Sequence, residues 1–282
     1  MKKYTVIIPH RDSVELLNRA LSSIPDICNI IIVDNSSMKL DHSDIISTNK
    51  SITILYSDSS LGAGNARNVG LKKAVTDYVI FMDADDYFSS GIESILNEYS
   101  HKSFDISYFS VDSVDSKTLE HNIRGDKYSK MIYNYIKNPS ISNLNYIRAF
   151  YLVPWGKIFS LNYIKNKNIL FETVPASNDV MFSIKCAFNT NNILVDERKL
   201  YTVTSTQGSL TRTPSSRNIR SRFMVDIRRN KYLEERKLCK YCINLFRPLL
   251  RLFSININDG LWGIIIMFKY RPNLFSFLCK YF

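Results

Sequence analysis

Short apolar runs that stop abruptly at polar turns dominate the first third of the chain. Tyr4-Thr5-Val6-Ile7-Ile8-Pro9 gives way to the polar His10-Arg11-Asp12-Ser13, and Ile30-Ile31-Ile32-Val33 stops at Asp34-Asn35-Ser36-Ser37. Ile52-Thr53-Ile54-Leu55-Tyr56 is a third run, and Tyr78-Val79-Ile80-Phe81 a fourth, ending at Met82-Asp83-Ala84-Asp85-Asp86. Strands that are apolar on both faces suit a parallel sheet covered by helices. Residues 14–21 carry apolar positions at helical spacing, and residues 65–75 form a second helix candidate. The predicted order is strand, helix, strand, strand, helix, strand. Ligands of such sheets sit outside the carboxyl ends of the strands, which predicts one site shared by Asp34 and the Asp83 cluster. Further on, residues 105–111 predict a strand, residues 127–137 a helix, and the polar run 138–143 a loop.

Charge separates the chain into two parts. Residues 1–210 hold 22 Lys+Arg and 22 Asp+Glu, whereas residues 211–282 hold 15 against 4, so the tail carries the whole net charge of +11. Basic side chains there alternate with bulky apolar ones, as in Leu245-Phe246-Arg247-Pro248-Leu249-Leu250-Arg251-Leu252-Phe253. That pattern describes an interfacial helix on an anionic leaflet. It equally describes a segment packed on the domain with its charges in water. A basic patch also suits phosphate backbones, but no nucleic-acid module accompanies it, so no nucleic-acid partner is expected. No run approaches the roughly 18 apolar residues of a membrane span. The apolar stretch after the N-terminal lysines stops at Pro9, too short for a signal peptide, which predicts a cytoplasmic chain touching the membrane only peripherally. The five scattered cysteines fit reduced thiols.

Candidate chemistry concentrates in two segments. The carboxylates of Asp83, Asp85 and Asp86, off the end of a strand, can converge on one hard cation, and Mg²⁺ in such sites bridges to phosphate. The same acids could cap a following helix. The loop Gly62-Ala63-Gly64-Asn65-Ala66-Arg67-Asn68-Val69-Gly70 has neither the third glycine of a dinucleotide fingerprint nor the Gly-Lys-Ser/Thr of a P-loop. It offers a flexible helix entry with Arg67 in the first turn, where a guanidinium can hold phosphate or simply be solvated.

Together, Val6-Ile7-Ile8-Pro9, Ile32-Val33-Asp34-Asn35-Ser36-Ser37, the glycine-rich segment and Phe81-Met82-Asp83-Ala84-Asp85-Asp86 resemble, in order and spacing, the family 2 glycosyltransferases of the GT-A fold. The resemblance covers about residues 4–100 and implies an α/β fold with a Rossmann-like, mostly parallel sheet. It puts Pro9 and Asp34 against the nucleotide, with Asp34 on uracil, and Arg67 near the diphosphate. Asp83 and Asp85 map to the family's DxD motif, binding donor ribose and Mn²⁺ or Mg²⁺. It implies a base from an acidic pair opening a later helix. Here Asn178 stands in place of the usual Glu, and Asp179 retains the Asp, with Glu172 the other acid nearby. The resemblance places Trp155 and Lys157, in Val153-Pro154-Trp155-Gly156-Lys157, between donor and base and so implies an acceptor-side role; a core tryptophan with Gly156 in a turn is the alternative. The segment Gln207-Gly208-Ser209-Leu210-Thr211-Arg212 resembles the family's closing loop, with Arg212 as a diphosphate contact.

These implications describe a catalytic domain over residues 1–210, with a donor half to about residue 100 and an acceptor half beyond it, followed by a basic helical tail over 211–282. The implied reaction moves glucose or galactose from a UDP-sugar to an N-acetylhexosamine on a lipid diphosphate, with inversion to a β-linkage, in O-antigen or capsule synthesis. Two other classes remain open. A nucleotidyltransferase would carry a Gly-rich basic signature after the first strand, where this chain has Pro9-His10-Arg11-Asp12-Ser13. An inactive membrane-bound assembly protein would keep the fold, and Asn178 is the residue that leaves room for it.

Overall fold

A computed structural model describes residues 2–46, 51–205 and 215–270. The four apolar runs of the first third form β1 (Tyr4–His10), β2 (Cys28–Asp34), β3 (Ser51–Tyr56) and β4 (Tyr78–Phe81). They pair in parallel in the order β3-β2-β1-β4. Helix α1 (Val14–Ser22) and helix α2 (Gly62–Lys73) make the crossovers β1 to β2 and β3 to β4. Chain order reverses at β1, with β2 on one side and β4 on the other, so the ends of β1, β2 and β4 open onto one crevice. Gly70 of α2 lies against Ile7 of β1 so closely that any side chain there would collide with it.

Beyond β4 the sheet changes direction. It continues through β7 (Lys157–Ser160), antiparallel to β4, then β6 (Ile106–Asp115), β8 (Ile193–Ser205) and the two-residue β5 (Tyr87–Phe88). Strand β8 runs parallel to β6 over its whole length, with a register shift near Ser110. Helices α3 (Ile92–Tyr99), α4 (Asp126–Lys137), α5 (Ile141–Phe150), α6 (Leu161–Asn166) and α7 (Val180–Phe188) flank the sheet. The polar run 138–143 is only partly a loop. Ser140 caps α5 by accepting the Asn143 N–H, so short polar side chains there start a helix.

The tail is α8 (Ser216–Glu234), α9 (Phe246–Phe253) and α10 (Ile257–Tyr270). Helix α8 is part of the main body: Val225 and Leu233 are buried with Ala149 of α5 and with Met181 and Ile184 of α7. Its Arg229 is buried and donates to the Ala149 carbonyl. Helices α9 and α10 pack on the other side of α8, around Phe223, Ile227 and Leu252. Among the described residues, no helix is long and apolar enough to cross a membrane.

Candidate active site

The cleft is built from strand ends. Parallel register puts His10 beside Asp34, and the His10 imidazole lies 2.8 Å from the Asp34 carboxylate. The Ser13 N–H points at the other ring nitrogen, so Nδ1 carries the proton that Asp34 accepts. Asp34 also accepts from the Ser36 hydroxyl (2.6 Å) and from the Leu40 N–H (2.9 Å). Burial would raise its pKa, but these bonds outweigh it and hold the carboxyl below the usual range. Pro9 sits half-buried one residue before His10, where β1 ends.

The acid cluster follows β4. Oxygens of Asp83, Asp85 and Asp86 lie within 4.8 Å of one another, the one such group of potential metal ligands among the described residues. Asp86 is buried and committed: it accepts from the Tyr201 hydroxyl (2.9 Å) and from the Thr204 N–H (2.6 Å). The Tyr201 hydroxyl in turn accepts the Asp83 N–H at 2.9 Å. From the other side, Arg19 of α1 donates to the Asp85 carbonyl at 2.6 Å. Asp83 and Asp85 remain half-buried. Burial and then the Asp83 charge raise the Asp85 pKa. A crowded set of hard oxygen donors is the chemistry of a Mg²⁺ or Mn²⁺ site, so the residues fit such an ion. Bound there, it would neutralise charge growing on a diphosphate leaving group.

Arg67 ties this cluster to the far wall. It is buried, donates to Asp83 at 2.6 Å and to the Asn178 side chain at 3.0 Å, and lies over the Phe171 ring. Its Nε–H is buried without a partner among the described residues. Gly64, one turn earlier on α2, explains the close approach: a Cβ there would strike the Glu172 carbonyl and the Asn178 side chain. Phe171 stacks on Phe182 of α7 and meets Phe81 of β4 edge-on, so aromatic packing seats the start of α7 beside the acid cluster. Ser177 takes a left-handed conformation (φ 61°) just before the turn into α7, a strain of the kind found at sites.

Asp179 stands at the mouth of α7, and its side chain makes no cap bond. Burial raises its pKa against the attraction of Arg67. It is half-buried. The alternative acid, Glu172, is instead paired with Arg228 of α8 at 2.9 Å.

Trp155 and Lys157, expected on the acceptor side, are core residues. Trp155 is 2% exposed and lies flat on Tyr201, ring planes 2° apart, with Tyr128 against it edge-on, leaving no face open for a sugar. Gly156 (φ 68°) turns the chain so that the Trp155 ring faces inward. The Lys157 ammonium is buried, donates to the carbonyls of Tyr151 and Val153, and lies near the rings of Tyr108 and Tyr151. Burial lowers its pKa to about 7. Arg212 lies outside the described residues. The supports from Arg19, Tyr201, Thr204 and His10 carry no local sequence signature, because each depends on a pairing formed only in the folded sheet.

The switch-point crevice, the acid cluster and the facing α7 acid define a GT-A glycosyltransferase. A glycosyl transferase family 2 model matches residues 5–165. The chain belongs to that family. Staphylococcus aureus poly(ribitol-phosphate) β-N-acetylglucosaminyltransferase TarS is 26% identical over 213 residues, 71% of this chain and 35% of that protein. TarP of the same species is 28% identical over 209 residues, 68% of this chain and 59% of that protein. A Bacillus spizizenii poly(ribitol-phosphate) β-glucosyltransferase is 28% identical over 208 residues, 68% of this chain and 31% of that protein. This chain thus spans between about a third and three fifths of these relatives. The crystal structure of TarS 1–349 in complex with UDP-GlcNAc superposes with a TM-score of 0.64 at 22% identity, over 92% of this chain and 74% of that one, a likeness of fold.

Proposed function

We propose that this glycosyltransferase moves a hexose, glucose or galactose, from a UDP-sugar to an N-acetylhexosamine carried on a lipid diphosphate, inverting to a β-linkage. The observation that carries the reading is the bridge from Asp83 through Arg67 to Asn178, which ties the acid cluster to the residue before Asp179. In this reading Asp83 and Asp85 take the metal and Arg67 the diphosphate. Asp179 removes the acceptor proton on the side of the sugar away from the leaving UDP. Direct displacement needs that separation of roles. Pro9 and Asp34 line the nucleotide end, with Asp34 supplying orientation through its internal bonds. The basic tail keeps the enzyme at the anionic inner leaflet, where O-antigen or capsule precursors are built.

The names of the relatives favour a second acceptor: a poly(ribitol phosphate)-type wall polymer, decorated with the same β-stereochemistry. UDP release distinguishes them. The protein is incubated with Mn²⁺ or Mg²⁺, a panel of UDP-sugars, and either N-acetylhexosaminyl-diphosphate-lipid or poly(ribitol phosphate). Release that requires the lipid acceptor supports the first reading. Release that requires the polymer replaces it with the second.

A further inference from the structure

Helices α8 and α9 border a half-open cavity of about 260 Å³ on the side of α8 away from the sheet. Ile219, Arg222, Phe223 and Asp226 line it from one face of α8, and Arg247, Pro248 and Arg251 from α9. Three guanidiniums thus surround one carboxylate over an apolar floor. The crowding of charge registers on both signs: burial and then Arg251 lower the Arg222 pKa, while burial raises Asp226 to about 6 against the pull of Arg229 and Arg222. At roughly 300–1,000 Å³ a small-molecule site is larger than this. The space suits a headgroup.

What borders the cavity points to where such a headgroup comes from. On α9, Phe246 and Leu250 are 41% and 49% exposed and precede Arg247 and Arg251 by one residue each, so an apolar row runs beside the arginine row. On α10, Ile257, Leu261, Ile265 and Phe268 form an exposed stripe on the face opposite Gly260 and Gly263. Those glycines are pressed against Phe253, Leu249 and Leu252. Apolar rows for the acyl boundary beside cations for the phosphates make an interfacial docking surface.

We propose that the α8–α9 cavity is a receptor for the phosphate headgroup of an anionic bilayer lipid, held by Arg222, Arg247 and Arg251, while the outer faces of α9 and α10 enter the interface. The assignment rests on the membrane reading above and makes it specific. Arginine suits the role because its planar fork pairs with phosphate oxygens two at a time. The cavity lies on α8–α9 and shares no lining residue with the cleft, so docking orients the catalytic domain without occupying it.

The test is flotation of the full chain with phosphatidylcholine vesicles, with and without phosphatidylglycerol. Two charge-matched double variants are compared: Arg247→Gln with Arg251→Gln, and Lys231→Gln with Lys240→Gln. All four side chains are exposed, and none belongs to the cleft. Two cations at about 1 kcal/mol each predict about 30-fold weaker partitioning for the arginine pair. The lysine pair, outside the cavity, is expected to change it by less than about threefold, the error of that figure. Equal losses in both pairs, or no loss in the arginine pair, would overturn the headgroup site and leave the membrane reading standing. No flotation of the native chain on phosphatidylglycerol would overturn both. Sedimentation without vesicles would assign the surface to a second copy of the chain and overturn the proposal. Tight, saturable binding of inorganic phosphate in solution, abolished by the arginine pair, would make the cavity a soluble-anion site and overturn the lipid assignment.

Discussion

Asp179→Asn isolates the chemical step. The exchange is nearly isosteric, and the Asp179 side chain makes no cap bond to α7, so no helix cap is lost with the charge. Asn takes away the desolvation cost of the carboxylate, which is the largest effect, together with its attraction to Arg67 and its repulsion from Asp83, so the fold should be destabilised little or not at all. The rate should fall far more. A positioned base contributes about 10²–10⁴-fold, which is roughly 2.7–5.4 kcal/mol of barrier at 1.36 kcal/mol per decade. The assay is acceptor-dependent UDP release at saturating donor, with UDP affinity measured separately by calorimetry. Burial holds the Asp179 proton above the ordinary carboxylate range, so kcat/KM of the native enzyme should fall as pH drops through that raised value. The variant should lack that limb. The folded chain binds this proton more tightly than the unfolded one, so native stability also decreases as pH rises through the same window, and Asn removes that slope. A variant keeping more than a tenth of native turnover, or losing UDP affinity in step with turnover, would refute the assignment.

Other outcomes follow from the same contacts. Asp85→Asn should abolish UDP release and also the thermal shift given by Mn²⁺, which for the native chain at a hundredfold excess over Kd is worth about 2.7 kcal/mol. Because it relieves repulsion with Asp83, the metal-free variant should melt no lower than the metal-free native chain; a lower melting temperature would contradict the crowding argument. Gly64→Ala drives a methyl into the Glu172 carbonyl and Asn178, and should cost about 1–3 kcal/mol in denaturant titration along with most of the activity. Lys157, lowered to about 7 in the folded chain, binds fewer protons there than when unfolded. Native stability should therefore rise by about 2 kcal/mol between pH 7 and pH 9 on its account, a slope that Lys157→Met removes.

The donor half was legible because its information is local. Each of β1, β2 and β4 is an apolar run with a polar stop, and the stops after β2 and β4 are candidate site residues, so pattern alone placed Asp34 and Asp83 at strand ends that open onto one crevice. The acceptor half was less legible because its determinants are pairings. Nothing around residue 201 announces that its hydroxyl holds the acid loop. The acceptor-side expectation for Trp155 and Lys157 rests on their place between donor and base in the family, and an aromatic ring or an ammonium does not by itself distinguish surface from core. Stacking on Tyr201 and two backbone carbonyls decided for the core. Asn178 was seen as a departure from the family, but its bond from Arg67 became visible only once α2 and α7 stood side by side. The charge boundary near residue 211 is real in composition, yet α8 shares its apolar face with α5 and α7, so packing does not divide where charge does.

The brace on the acid loop also orders events during synthesis. Asp86 leaves the ribosome 115 residues before Tyr201 and 118 before Thr204, the groups that hold it. At about 5–20 residues per second, the three carboxylates spend roughly 6–24 seconds without their clamp. A chain interrupted in that interval has the donor half of the sheet but neither β8 nor the hydrogen bonds that Tyr201 and Thr204 make to the acid loop.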